Sequence, residues 1–192
     1  MNTKREQLIE QSAKLFNREG FRSPSIDQIV AYANIGKMTF YRYFPDKISL
    51  IEAILEQRLN SFLADLNQQL AQANSAKEKL YTLFHYYAQW FASDDYNGCL
   101  FTRSSLEYGQ QYPQIALYNC NFKSALTEKI QHILRLCLKR EPAERVSVML
   151  LLLIDGAIAS SQYQSRATKE YQPAQTAFQA AKALIYSEGG TL

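Results

Sequence analysis

The sequence predicts an all-α protein of about nine helices: an N-terminal three-helix helix-turn-helix domain, then a larger helical domain. Three observations lead there. Apolar residues recur at spacings of three and four through most of the 192 residues, the period of a half-buried helix. No stretch keeps the alternation of a strand. Beyond residue 74 the breaks are few: Gly98, Gly109, Pro113, Pro142, Gly156, Pro173 and Gly189-Gly190, punctuation between helices.

Taken in order, Lys4–Arg18 is a first helix. Ile9, Ala13 and Phe16 form its buried stripe, Leu8 and Leu15 broaden it, and Gly20 ends it. Ser25 then N-caps a short helix whose face is Ile26, Ile29, Val30 and Ala33. Asn34 follows where a helix ends in a left-handed residue, a conformation Asn tolerates best after Gly. Gly36 caps a second short helix, Lys37–Phe44, which Pro45-Asp46 stops. Two short helices joined by such a turn are the helix-turn-helix unit, whose second helix enters the DNA major groove. Its first turns project Lys37, Met38 and Arg42 where base edges lie, and Arg is the commonest bidentate reader of guanine. Thr39, Tyr41, Tyr43 and Lys47 can donate to phosphates, while Phe40 and Phe44 anchor the helix inward. From Asp46 to about Ala73 one long helix carries Ile48, Ile51, Leu55, Leu59, Phe62, Leu66 and Leu70 at helical spacing. The Gly and Pro breaks divide the remainder into helices over 76–93, 96–108, 111–139, 142–166 and 173–187.

Charge supports this division. Residues 1–50 hold eight basic and five acidic side chains, whereas residues 51–192 hold thirteen of each. The whole excess of +3 therefore sits with the helix-turn-helix, as a DNA footprint requires. Cys99, Cys120 and Cys137 show no C-x-x-C spacing, which fits a reducing cytosol. The polar start has no signal-peptide core. The longest apolar run, Val148–Ile154, is far short of the roughly 20 residues of a membrane span. A cytoplasmic protein without a membrane partner is expected.

Residues 8–55 resemble the DNA-binding domain of the TetR/AcrR-type transcriptional regulators. The matching residues are Gly20-Phe21, Ser25, Ile29, Ala33-Asn34-Ile35-Gly36, Thr39-Phe40-Tyr41-Arg42-Tyr43-Phe44 and Lys47. Asn34 stands for the usual turn Gly, Gly36 for the usual Ser cap, Val30 for a usual Ala and Met38 for a usual Gly. The resemblance implies a DNA-binding domain over 1–47 and an effector-binding and dimerisation domain over 48–192. It assigns Ser25, Tyr41 and Lys47 to phosphates and Lys37, Met38 and Arg42 to base edges, with Thr39 open to either. It also implies a homodimer on a palindromic double-stranded operator, released by a small molecule.

The second domain is rich in aromatics, with sixteen of the chain's 24 Phe, Tyr and Trp residues after position 75. Buried tyrosines need partners for their hydroxyls, so a Tyr-rich interior suggests a cavity. Tyr86, Tyr87, Trp90, Phe101, Tyr118, Phe122 and Asp155 are its candidate lining, for a largely apolar or aromatic effector. Asp155 and Glu107 are candidates to bind a cation there, with a helix-face or capping role as the plainer reading of each. Met149, Leu152, Gly156 and Ala159, and again Ala174, Ala177, Ala181 and Leu184, run at 3-4-3 spacing. Such stripes build either a dimer seam or packing within one chain. Cys99, behind Gly98 at a helix start, is either a redox or electrophile sensor or a small buried side chain. His85 and His132 lie apart, without metal-ligand spacing, and no phosphate loop or nucleophile–base pair is present. No enzyme, cofactor or metal is expected. A small-molecule carrier or an enzyme with a vestigial helix-turn-helix are the readings from other classes.

Overall fold

The computed structural model describes residues 3–162 and 172–192. Among them are nine α-helices and no strand: α1 (Lys4–Glu19), α2 (Ile26–Tyr32), α3 (Lys37–Tyr43), α4 (Lys47–Ala71), α5 (Ala76–Ala92), α6 (Leu100–Tyr108), α7 (Pro113–Leu134), α8 (Arg140–Gln162) and α9 (Pro173–Ser187). The all-helical expectation holds. Positions 163–166, expected to finish the eighth helix, lie outside the described residues.

Four of the helices start where a side chain satisfies a first-turn N–H group. Thr3, Ser25 and Ser75 each accept from the backbone N–H three residues on, and Glu6, Gln28 and Glu78 reach back to the cap's own N–H. These are three complete capping boxes. Asp46 does the same for α4, its Oδ1 accepting from Ser49 N at 2.8 Å. The seventh helix ends at Leu134 rather than residue 139, and two other boundaries differ from expectation for local reasons. The eighth helix begins at Arg140 rather than Pro142, because a proline in the first turn gives up an N–H that has no intrahelical acceptor there. The sixth begins at Leu100 rather than residue 96, because Gly98 takes φ +88°, a value that interrupts a right-handed helix.

By backbone packing the chain forms two compact units, Met1–Phe62 with Cys99–Asn121, and Leu63–Gly98 with Phe122–Leu192. This division of packing differs in kind from the functional division expected after residue 47.

The first unit is built around α1. Leu8, Ile9, Leu15 and Phe16 are buried together with Phe21, Ile29, Val30, Phe40, Phe44, Leu50, Ile51, Ile54 and Leu55. The stripe runs through Ser12 rather than Ala13, which is only half-buried. The Phe16 and Phe21 rings lie 5.1 Å apart. Truncating any one of these aromatics to Ala would cost about 3–5 kcal/mol.

In the second unit α5, α8 and α9 pack against one another. Leu80, Leu83, Phe84 and Tyr87 of α5, Val146, Leu150 and Ile154 of α8, and Ala174, Ala177, Ala181 and Ile185 of α9 are all buried. Here one expectation needs correcting. The alanine stripe of α9 was a candidate dimer seam, yet Ala181 is 0% exposed and Ala174 and Ala177 nearly so. Small side chains let α9 approach its neighbours closely, and the stripe is consumed within the chain. Leu184 is half-buried.

Candidate nucleic-acid interface

The turn between α2 and α3 is fixed by backbone chemistry. Asn34 sits at φ +53°, its N–H donating to Ala31 O at 3.1 Å, while Ile35 N donates to Val30 O at 3.0 Å. That pair of bonds is a Schellman motif with Asn in the glycine place. Gln7 Nε2 of α1 donates to Ala33 O at 2.9 Å, so a carbonyl at the end of α2 is satisfied as well. Gly36 then caps α3, whose Phe40 is buried beside Phe44, with ring centroids 6.2 Å apart.

With Phe40 turned inward, helical geometry turns Lys37, Met38, Tyr41 and Arg42 outward. Met38 is 86% exposed, a large apolar side chain in water with no core role, and Tyr41 is exposed too. Arg42 donates from Nη2 to Tyr43 Oη at 3.2 Å and lies over the Tyr43 ring at 4.9 Å. Stacking fixes the guanidinium plane and leaves its other edge for a base or phosphate. Lys37 pairs with Asp27 of α2 at 2.7 Å, both side chains exposed. The hydrogen bond to Asp27 holds the ammonium's pKa above its usual value. Thr39 and Tyr43 are half-buried. Ser25 accepts from Gln28 N, which leaves its O–H to donate. At the near end of α1, the Arg5 guanidinium lies over Phe44 at 5.3 Å.

Lys47 departs from the simple phosphate-donor expectation. Its Nζ donates to Pro24 O at 2.6 Å and Arg22 O at 3.1 Å, closing the segment that leads into α2. Two of its three N–H donors are thus committed, and burial pushes its pKa down.

Sequence reasoning missed a second clamp on the same segment. Glu107, near the end of α6, accepts through Oε2 from Phe21 N at 2.8 Å and Arg22 N at 2.7 Å. Its Oε1 accepts from Arg103 Nε at 3.0 Å, and Arg103 Nη1 donates to Asn17 O at 3.0 Å. Gly20, at φ +87°, lies where an added Cβ would stand 2.9 Å from Arg103 Nη2. The Arg22 side chain returns the contact, Nε donating to Glu107 O at 2.7 Å. The only signal in the sequence was a carboxylate one turn beyond Arg103; its partners lie more than eighty residues away.

The candidate effector residues fall in both compact units. Tyr86, Tyr87, Trp90, Phe122 and Asp155 belong to the second, and Phe101 and Tyr118 to the first. In the second unit Tyr87, Trp90, Phe91 and Tyr96 form a ring cluster, with Trp90 and Tyr96 edge to face at 4.9 Å. Tyr96 Oη donates to Ile158 O at 2.6 Å. Asp155 pairs with Lys123, so its carboxylate already has a cation. In the first unit Phe101 is buried. Burial, then the charges of Glu52 and Glu56, raise the pKa of Tyr118. Cys99 is N-cap of α6 and 7% exposed. On α8, Met149 and Leu152 are exposed beside Val148, and Gly156 and Ala159 continue the same face.

Residues 8–54 match the family model for bacterial regulatory proteins of the tetR family. That segment belongs to the tetR family. Over the whole chain the likeness to solved structures is one of fold. A TetR-family transcriptional regulator from Streptomyces coelicolor superposes with a TM-score of 0.86 at 20% identity, over 96% of this chain and 95% of that one. An HTH-type transcriptional regulator of Staphylococcus aureus is 34% identical over 64 residues, 33% of this chain and 35% of that protein. The chain thus matches about a third of that relative's length. The fatty acid metabolism regulator protein of Bacillus subtilis is 24% identical over 65% of this chain and 67% of its own. No helix among the described residues is long and apolar enough to cross a membrane.

Proposed function

We propose that the protein is a DNA-binding transcriptional regulator, acting as a homodimeric repressor that leaves a palindromic operator when a small molecule binds. The observation that carries this is α3, a helix anchored by a buried Phe40 and otherwise offering Lys37, Met38, Tyr41 and Arg42 to solvent. Exposed apolar and cationic side chains on the second helix of such a turn are what base-edge readout needs. In this reading Lys37, Met38 and Arg42 face bases. Ser25, Tyr41, Tyr43 and the remaining Lys47 donor take phosphates, and Thr39 takes either.

The functional domains are 1–47 for DNA and 48–192 for effector and dimer. Two copies are needed to reach successive major grooves, and the apolar face of α8 supports that dimer, with Leu152 67% exposed. The effector reading rests on the aromatic cluster at the end of α5 and on its tyrosines. Release follows if the effector binds better to a dimer whose two α3 helices are wrongly spaced. Catalysis is no part of this reading, and a cytoplasmic location follows from its partner, DNA.

The test is selection of duplexes from a random library by the purified full chain, alongside Leu152→Arg. An inverted repeat should emerge with the parent protein. Leu152→Arg should sediment as a folded monomer and lose it. A folded protein that enriches no sequence would instead favour a carrier or an enzyme.

A further inference from the structure

Apart from the aromatic cluster, the second unit holds an open groove of about 510 Å³ between the start of α5 and α9. Its volume lies within the roughly 300–1,000 Å³ of small-molecule sites. Its apolar wall is an ordered array of rings. Tyr81 is 53% exposed, stacked on His85 at 5.4 Å and met edge-on by Phe178 at 5.8 Å. A ring half in water yet held on two sides offers a ligand a flat, pre-organised surface.

The rim is cationic from two sides. Lys77 rises from the first turn of α5 and Lys182 from α9, its ammonium 5.0 Å from the Phe178 centroid. Glu78 also borders the groove, but its Oε2 accepts from Asn74 N at 2.7 Å and Ser75 N at 3.3 Å. Its charge is drawn into the cap of α5. Neighbouring Lys79 has a structural task, donating to Leu70 O at 2.7 Å, whereas no ion pair is formed by Lys77 or Lys182 among the described residues. The N-terminal end of the 17-residue α5 adds positive potential. Thr82, one turn in, supplies a hydroxyl to the same space.

We propose that this groove is a small-molecule site in its own right, taking a planar aromatic monocarboxylate. The ring lies along Tyr81 and Phe178, and the carboxylate lies between Lys77 and Lys182. The ring array favours a flat apolar body over an aliphatic one, and two ammoniums from separate helices fix the charged end.

Calorimetric titration of the full chain with 2-naphthoate and its uncharged counterpart 2-naphthamide tests this. Saturable binding of the naphthoate is expected, one per chain, with the amide at least about fivefold weaker. Lys77→Gln and Lys182→Gln should each weaken the naphthoate about threefold to tenfold, while Lys139→Gln, an exposed lysine elsewhere, leaves it unchanged. Both groove lysines are at the surface, so the variants should keep the parent's helical circular dichroism and melting. Equal affinity for acid and amide would overturn the proposal, as would naphthoate binding indifferent to both lysines. So would no saturable heat up to about 5 mM. No DNA enters the measurement, so its result is independent of the operator reading.

Discussion

Glu107→Ala would remove the acceptor on which the link between α1 and α2 hangs. Three bonds go with it: Phe21 N and Arg22 N on one oxygen, Arg103 Nε on the other. Hydrogen bonds to a charged group contribute about 1.5–3 kcal/mol each when buried. The Phe21 bond is half-buried and keeps most of that value, but water can replace Glu107 at the exposed Arg22 N–H. The Arg103 pair is a partly exposed i,i+4 bridge and adds about 0.5 kcal/mol. The expected loss is about 2–3 kcal/mol, with Glu107→Gln milder at about 1 kcal/mol, since an amide oxygen still accepts. Urea unfolding monitored by circular dichroism reads this directly as a lower midpoint at unchanged slope. Because Gly20-Phe21-Arg22 leads into α2, operator affinity should fall along with stability. A Glu107→Ala protein within about 0.5 kcal/mol of the parent would refute the clamp.

Three further outcomes are expected. Asp27→Asn releases Lys37 from its ion pair, so binding to random duplex at low salt should tighten by about threefold with a steeper salt dependence; anisotropy titrations over a salt series check it. Gly98→Ala puts a side chain on a residue at φ +88°, against the Gln162 carboxamide. The amide can swing aside but the backbone cannot, so a loss of about 1–2 kcal/mol is expected in urea unfolding. Glu6 has its carboxyl pKa lowered, first by the Thr3 N–H it accepts and then by the Thr3 hydroxyl. A carboxylate with a depressed folded pKa contributes stability that is complete above its unfolded value and lost as pH falls through the folded one. The gap in unfolding midpoint between parent and Glu6→Gln should therefore be constant near neutrality and close as pH drops below 4.5.

What the sequence made legible was chemistry confined to a few residues. Ser25, Asn34 and Gly36 could be placed because caps and left-handed turns depend on side chains within one helical turn. The inward Phe40 and the outward Met38 followed from the helical period alone. The α9 stripe shows where that period stops helping. Spacing says that Ala174, Ala177 and Ala181 share a face, but whether α5 and α8 or a second chain covers it is settled by tertiary packing. Glu107 and Lys47 lay further out of reach. Both close the same segment through backbone groups, and a backbone N–H or carbonyl leaves no mark in a sequence. Tyr118 and Phe101 belong to the unit containing α1–α3 because α6 and the first half of α7 pack there, which the order of helices did not reveal.

The account stands on α3 reading DNA as one half of a dimer. Hydroxyl-radical footprinting of the full chain on a selected duplex tests that most directly, with Tyr41→Ala beside it. The predicted result is two protected half-sites of inverted sequence, centred about one helical turn of 34–36 Å apart or a multiple of it, and their loss in the folded variant. Protection of no defined site by a folded dimer, or a footprint that Tyr41→Ala leaves intact, would contradict it.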